Sequence, residues 1–356
     1  MGMISSAFDR PPRTAAVIGT EDEALAVAGT LADAFSDTAR TAETRLDLLS
    51  RSGLLGISVP TEHGGIDVSN TVLADVCALS AERSATLGEI LAAHFVALEQ
   101  LRSYGTDGHR MVAFAAALSG ARLARGVPRR NGQEAEALPL APNGLVWRLN
   151  GEALCTPCTR HADWVLVPTG NDGGRTVGLL LSTRAEGLHY VANSCEPANG
   201  AAQKAEHVLF KDVLADSDAL LHPPGEAGVP QSLELLLDAA RQAGAGQRAL
   251  GHLLETENAA LLDTGLLAAR LAAAQAMIGE AGRAIDAAQI GLADQHRTNA
   301  FLAAAAALAV AHESASQAGM AAGLAPMPPP SHLSAALIES GRLRRRAHND
   351  PPEEAS

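Results

Sequence analysis

Between residues 42 and 79 the chain spells helix, stop, turn and helix in close succession, and this run constrains the fold more than any other stretch. Ala42, Leu46 and Leu49 recur at helical spacing, and Gly53 follows them, the residue that ends helices where φ must turn positive. Ile57, Val59 and Pro60 suit a short extended piece, while Gly64 and Gly65 punctuate a turn. Val72, Val76 and Leu79 then open a second helical period.

The periodicity on either side divides the rest of the chain. Residues 1–20 are polar and proline-bearing, which predicts a flexible arm. Residues 21–125 read as a helical domain whose first long helix gathers Ala24, Leu25, Val27, Ala28, Leu31 and Phe35 on one face. At residues 126–138 the composition shifts to Arg, Asn, Gly, Gln and Glu, as in an exposed connection. Short β-rich runs follow at 145–149, 164–168, 177–182 and 208–213, separated by turns such as Asn150-Gly151, so that 126–222 makes a central β domain. After Pro223, Pro224 and Gly225 the Ala/Leu-rich runs at 233–254, 259–287 and 300–318 suit a helix bundle spanning 223–350. The fold class expected is mostly α with a central β domain.

Charge and cysteine usage exclude several functions. A formal net charge of −13 leaves no broad basic surface for phosphates, which argues against a nucleic-acid partner. Arg342, Arg344, Arg345 and Arg346 form the one dense basic cluster, of a kind that usually caps or solvates a helix end. No apolar run approaches the roughly 20 residues of a membrane span, and the first residues lack a signal core, so the expectation is a cytoplasmic protein without a membrane partner. Four cysteines in 356 residues do not make a disulfide framework. Cys155, Cys158, His161 and Asp163 have ligand-type side chains, but no second ligand pair follows them, and no metal site is expected.

The segment Gly56-Ile57-Ser58-Val59-Pro60-Thr61-Glu62-His63-Gly64-Gly65, the helix ending Ala93-His94-Phe95, Leu149-Asn150-Gly151 and Ala162-Asp163-Trp164 together resemble the acyl-CoA dehydrogenase superfamily. The resemblance is narrower to its flavin-dependent monooxygenase branch, which includes dibenzothiophene monooxygenase and the sulfur-acquisition oxidoreductases. It covers nearly the whole chain and implies a helical N-domain, a β-barrel-like middle domain and a C-terminal helix bundle. It also implies FMN, a small sulfur- or nitrogen-containing substrate, a flavin reductase as partner, and a homo-oligomer, dimer or tetramer. Ala-rich stripes at 268–288 and 300–311 suit such contacts between subunits.

The same resemblance nominates site residues. His94 stands where the family has its first histidine, although a lone histidine on an apolar helix is more often a satisfied core residue. Arg125 stands where the family has an asparagine amide, and Thr156 where it has a serine hydroxyl. His348 and Asn349 precede Asp350-Pro351 in the position of the family's C-terminal histidine motif. Thr156, Cys158, Trp164, Gln203 and Lys204 would then face the flavin.

Departures from the pattern open a second reading. Pro157 lacks the N–H that a flavin-facing strand offers to the ring. The flavin-binding stretch is rewritten, with Glu206 among residues expected near a phosphate, and Pro328, Pro329 and Pro330 stand where a glycine-rich loop is expected. No carboxylate base of the dehydrogenase type appears, and Glu339 reads as a surface helix residue. The favoured expectation is a flavin-dependent oxidoreductase, an FMNH2-dependent monooxygenase. The alternative is a diverged homologue without flavin that uses its cleft for cofactor-independent catalysis with His94 and Arg125, or for ligand binding.

Overall fold

The computed structural model describes residues 14–37, 39–170, 176–191, 205–223, 228–255, 261–291, 293–324 and 328–349. The chain divides into two compact units: Met1–Val68 with Ser84–Glu226, and Ser69–Arg83 with Ala227–Ser356.

The first unit opens with helix α1 (Glu21–Ser36), whose start is fixed by Thr20: its hydroxyl accepts the Glu23 N–H, and Glu21, Asp22 and Glu23 fill the first turn where the helix dipole favours acids. Helix α2 (Ala42–Arg51) is capped in the same way by Thr41. Gly53 has φ +81°, and a Cβ there would stand 2.3 Å from the Ala16 carbonyl oxygen, so both conformation and space demand glycine. The extended piece expected next is instead a 3-10 turn, Leu54–Gly56, running into Ile57 with αR backbone. The Gly56 N–H donates to the Gly53 carbonyl and the Val59 N–H to that of Gly56, and these local bonds override the strand preference of Ile57 and Val59. Helix α3 (Asn70–Arg83) belongs to the second unit; α4 (Ala85–Tyr104) and α5 (Asp107–Leu118) return to the first.

Nine strands follow among the described residues: β1 (Leu123–Arg130), β2 (Gln133–Glu134), β3 (Leu138–Asn143), β4 (Val146–Cys155), β5 (Trp164–Gly170), β6 (Thr176–Ser182), β7 (Leu188–Tyr190), β8 (Glu206–Ala215) and β9 (Leu220–Leu221). Strand β1 pairs antiparallel with β4 through Gly126–Arg129 and parallel with β5 through Leu123–Arg125. Because β3 also pairs with both β4 and β5, the ring β1-β4-β3-β5 closes on itself and gives the middle region its barrel character. Leu140, Leu149, Ala153, Val165, Val167, Leu179, Val208 and Phe210 fill its interior.

Residues 126–138 are therefore not an exposed connection. They hold most of β1, a turn at Asn131-Gly132 with φ of 52° and 76°, β2, and the start of β3. The alternation was hidden because the inward positions of β1 carry Gly126 and Pro128 instead of branched side chains. A Cβ at Gly126 would meet Val167 at 2.8 Å and the Cys155 sulfur at 2.9 Å, so the barrel requires that gap in the pattern. On the other face of the strands Leu123, Trp164, Leu166 and Leu180 pack with Leu98, Leu101 and Phe114 of α4 and α5.

The second unit gathers α3 with α6 (Val229–Leu254), α7 (Leu261–Ile290), α8 (Asp294–Ala321) and α9 (Leu333–Asn349). Its helices meet through small residues: a Cβ at Gly244 would lie 2.2 Å from the Ala78 carbonyl oxygen, and one at Gly246 2.6 Å from Leu271. Helix α7 buries Leu271, Ile278 and Ile285, while Leu262, Leu266 and Ile290 remain exposed. No described helix is long and apolar enough to cross a membrane.

Candidate functional site

Three of the residues nominated by sequence converge on the first residues of β1. His94, on α4, is fully buried; its Nδ1 accepts the Leu123 N–H at 3.1 Å, which leaves Nε2 as the protonated nitrogen, 2.8 Å from the Leu55 carbonyl. Burial holds the imidazole neutral, with its pKa pushed down to about 4 even though the Leu55 bond favours the charged form. Both ring nitrogens are thus committed to backbone.

Two residues along the strand, Thr156 does the same with its hydroxyl. The Thr156 Oγ1 accepts the Arg125 N–H at 3.0 Å and donates to the Arg125 carbonyl at 3.1 Å, and the Thr156 N–H donates to that carbonyl at 2.9 Å. Thr156 therefore continues the β1–β4 ladder past Cys155 with side-chain and main-chain bonds together. Arg125 is half-buried and carries the strand bonds that Thr156 completes. Next comes Pro157, without an N–H, and then Cys158 at φ +64°.

Cys158 is disulfide-bonded, whereas Cys77 and Cys155 are buried free thiols. Burial pushes the Cys77 thiol up to about 12 and raises that of Cys155 as well. Among the described residues no group of three or more His, Cys, Asp and Glu could hold a metal ion.

Trp164 is almost wholly buried in the helix-facing core, and its indole N–H has no acceptor among the described residues. Gln203 and Lys204 lie outside the described residues. His348 and Asn349 occupy the last turn of α9, exposed, in the second unit.

Sequence reasoning passed over two arginines that organise this region. The buried Arg122 donates from its guanidinium to the Leu46 and His161 carbonyls, and its backbone N–H donates to Asp163 Oδ2 at 2.8 Å. Arg160 binds Glu206 twice, by its side chain at 2.5 Å and by its backbone N–H at 2.9 Å, and its guanidinium lies 5.3 Å from the centre of the Tyr190 ring. Glu206 is fully buried, so its carboxylate is an internal tie between β8 and the 3-10 turn Thr159–His161. The signal available in advance was a charged residue directly flanking an apolar strand, at Arg122 before β1 and at Glu206 opening β8.

These observations bear on whether a flavin fits. The imidazole expected at the ring edge is saturated by backbone, the hydroxyl has its proton committed to backbone, the following residue has no N–H to offer, and the nearby carboxylate is closed by Arg160. At the described residues the donor set does not fit a flavin held in the way the resemblance implies.

No family model matches the chain, and no curated protein sequence matches it either. Solved structures do. The complex of TdsC, the dibenzothiophene monooxygenase of Paenibacillus sp. A11-2, with FMN and indole superposes with a TM-score of 0.71 at 20% identity, over 93% of each chain. The methanesulfinate monooxygenase MsuC of Pseudomonas fluorescens gives 0.70 at 16% identity over 94% of each chain. Butyryl-CoA dehydrogenase of Megasphaera elsdenii gives 0.70 at 15% identity, over 93% of this chain and 99% of that one. The fold is the acyl-CoA dehydrogenase-like fold shared by these flavin monooxygenases and dehydrogenases.

Proposed function

We propose that this chain keeps the scaffold of the flavin monooxygenases without their flavin, and binds a small metabolite beside the β1–β4 end of its barrel. The observation that carries this reading is the double commitment of His94 and Thr156 to backbone groups, which leaves neither with a proton to give to a flavin ring or to oxygen. Acid–base catalysis by His94 is disfavoured on the same ground. Reaching either nitrogen would orphan a buried N–H or carbonyl, at roughly 1–3 kcal/mol each. Arg125, permanently charged and half-buried on β1, is unsuited to proton transfer.

The likeness of nearly the whole chain to an FMN-bound monooxygenase favours a second reading, an FMN-dependent monooxygenase of a small sulfur- or nitrogen-containing compound served by a flavin reductase. Titration of the purified protein with FMN and FAD, each oxidised and reduced, separates the two. The flavin-free reading expects no saturable change in the flavin absorbance bands and no thermal shift. Saturation at micromolar concentration with a raised Tm would overturn it in favour of the second. In either reading the exposed apolar side of α7, with Leu262 and Leu266, supports self-association.

A further inference from the structure

An open groove of about 740 Å³ runs beside α1 and the end of α2, and Ala26, Val27, Leu31, Ala34 and Leu48 give it an apolar lining. The polar groups around that lining already have partners within the chain. Asp37 pairs with Arg40 at 3.1 Å, and Arg51 with Asp47 at 2.9 Å. Glu23 accepts the Gly19 N–H, while the hydroxyls of Thr30 and Ser52 donate to the Ala26 and Leu49 carbonyls. Asp33 is engaged as well. The groove therefore selects an occupant by apolar contact and not by charge.

The chain brings such an occupant to the groove's mouth. The Ala16 N–H donates to the Arg51 carbonyl at 2.8 Å and the Gly19 N–H to Glu23, and both Arg51 and Glu23 line the groove. Residues 1–13, which lead into this anchored stretch, lie outside the described residues and carry Met1, Met3, Ile4 and Phe8. The chain's other five phenylalanines are all buried, as large apolar rings favour, and Phe8 is the bulkiest apolar anchor of the segment. Its reach is sufficient: α1, of 16 residues, is about 24 Å long, and the stretch from Phe8 to Ala16 spans up to about 26 Å. A tether this short presents Phe8 to the groove at an effective concentration on the order of millimolar, an advantage no free partner has.

We infer that residues 1–13 fold back along α1 of their own copy and seat Phe8 in the groove between Val27 and Leu48, as a strap that closes it. Pro11 and Pro12 suit that reach, since proline favours extended backbone between anchor and tether. The contact is separate from self-association through α7 and does not depend on whether flavin binds.

A benzophenone photo-crosslinking residue in place of Phe8, in a mixture of unlabelled and nitrogen-15-labelled full-length protein, reads the contact directly. Crosslinks are expected within single copies, to residues 23–37 and 48–52. Their yield should hold when salt is raised to about 0.5 M, where screening shortens to a few ångströms, because the contact is apolar. It should fall about tenfold in Thr30→Arg, which lays a long charged side chain across the groove. Moved to Ala26, the same crosslinker should mark residues 1–13, and about tenfold less of it in Phe8→Ser, which gives up the burial of the ring. Ala26 and Thr30 are exposed, and circular dichroism checks that the helices persist. Crosslinks to another surface, a yield that collapses with salt, or a yield indifferent to Thr30→Arg and Phe8→Ser would overturn the inference. So would crosslinks between labelled and unlabelled copies, since the groove would then hold the arm of a second copy.

Discussion

The two units differ in how far they rely on polar side chains that reach buried backbone. In the first, polar groups reach far along the sequence to hold backbone: His94 clasps Leu55 and Leu123, Arg122 clasps Leu46 and His161, and Thr156 clasps Arg125. In the second, cohesion comes from glycine and alanine letting helices approach, as at Gly244 and Gly246, and most ion pairs join neighbours three apart, such as Arg283 with Glu280 and Arg297 with Asp294. A polar atom given to a buried backbone group is withdrawn from chemistry. The contrast teaches that the first unit spends His94, Arg122 and Thr156 on backbone, whereas the bundle rests mainly on close helix approach, with Asn70–Asp286, Gln275–Asp75 and the bond from Arg248 to the Ala81 carbonyl as its long-range polar ties.

The sharpest way to break this contrast is Arg160→Ala, which strips the side-chain partner from the fully buried Glu206. Urea unfolding should show a loss of about 3–5 kcal/mol. A loss under about 1 kcal/mol would mean that the carboxylate reaches water and is no internal tie.

His94→Ala should follow, at about 3 kcal/mol, since it leaves a cavity and two unpaired backbone groups. Its acid limb adds a signature. The folded imidazole has a pKa near 4 against 6.5 for the free side chain, so between those values the unfolded chain binds the extra proton. The contribution of His94 is therefore whole above pH 6.5 and declines as pH falls toward 4, with a limiting slope of about 1.4 kcal/mol per pH unit. The alanine variant should lack that part of the decline. An unchanged acid limb would place the titration elsewhere.

Gly244→Ala tests the bundle by the smallest chemical change. The added methyl meets the Ala78 carbonyl on α3, which has no flexible end to give way, and a loss of about 2 kcal/mol is expected in thermal unfolding. Tolerance of the alanine would show that helix approach in the second unit is looser than the contrast requires.

The order of helices, strands and helices was legible because side-chain periodicity records which face is buried, and α6, α7 and α8 declare it over many turns. Strand β1 was not, because the barrel needs Gly126 and Pro128 where a reader looks for branched apolar residues. At the candidate site, sequence brought His94, Arg125 and Thr156 into one neighbourhood. It could not tell which way their polar atoms point, since a histidine serving a ligand and one clasping backbone are the same letter. Arg160 and Glu206 were illegible as a pair because their meeting depends on the register of β8 against β4, 46 residues apart along the chain.

Helix α3 illustrates what such long-range partnerships mean while the protein is being made. It is the only described helix of the second unit that precedes the barrel, and the groups that complete it, Asp286 and Gln289 for Asn70 and Gln275 for Asp75, are some 200 residues further on. At a synthesis rate of about 5–20 residues per second, α3 waits ten seconds or more after leaving the ribosome before α7 exists. Through that interval Val72, Leu73, Val76 and Cys77, all buried in the finished bundle, face solvent or chaperone. The first unit is interrupted in sequence by the same helix, so its two chain segments can join before the partners of that helix have been translated.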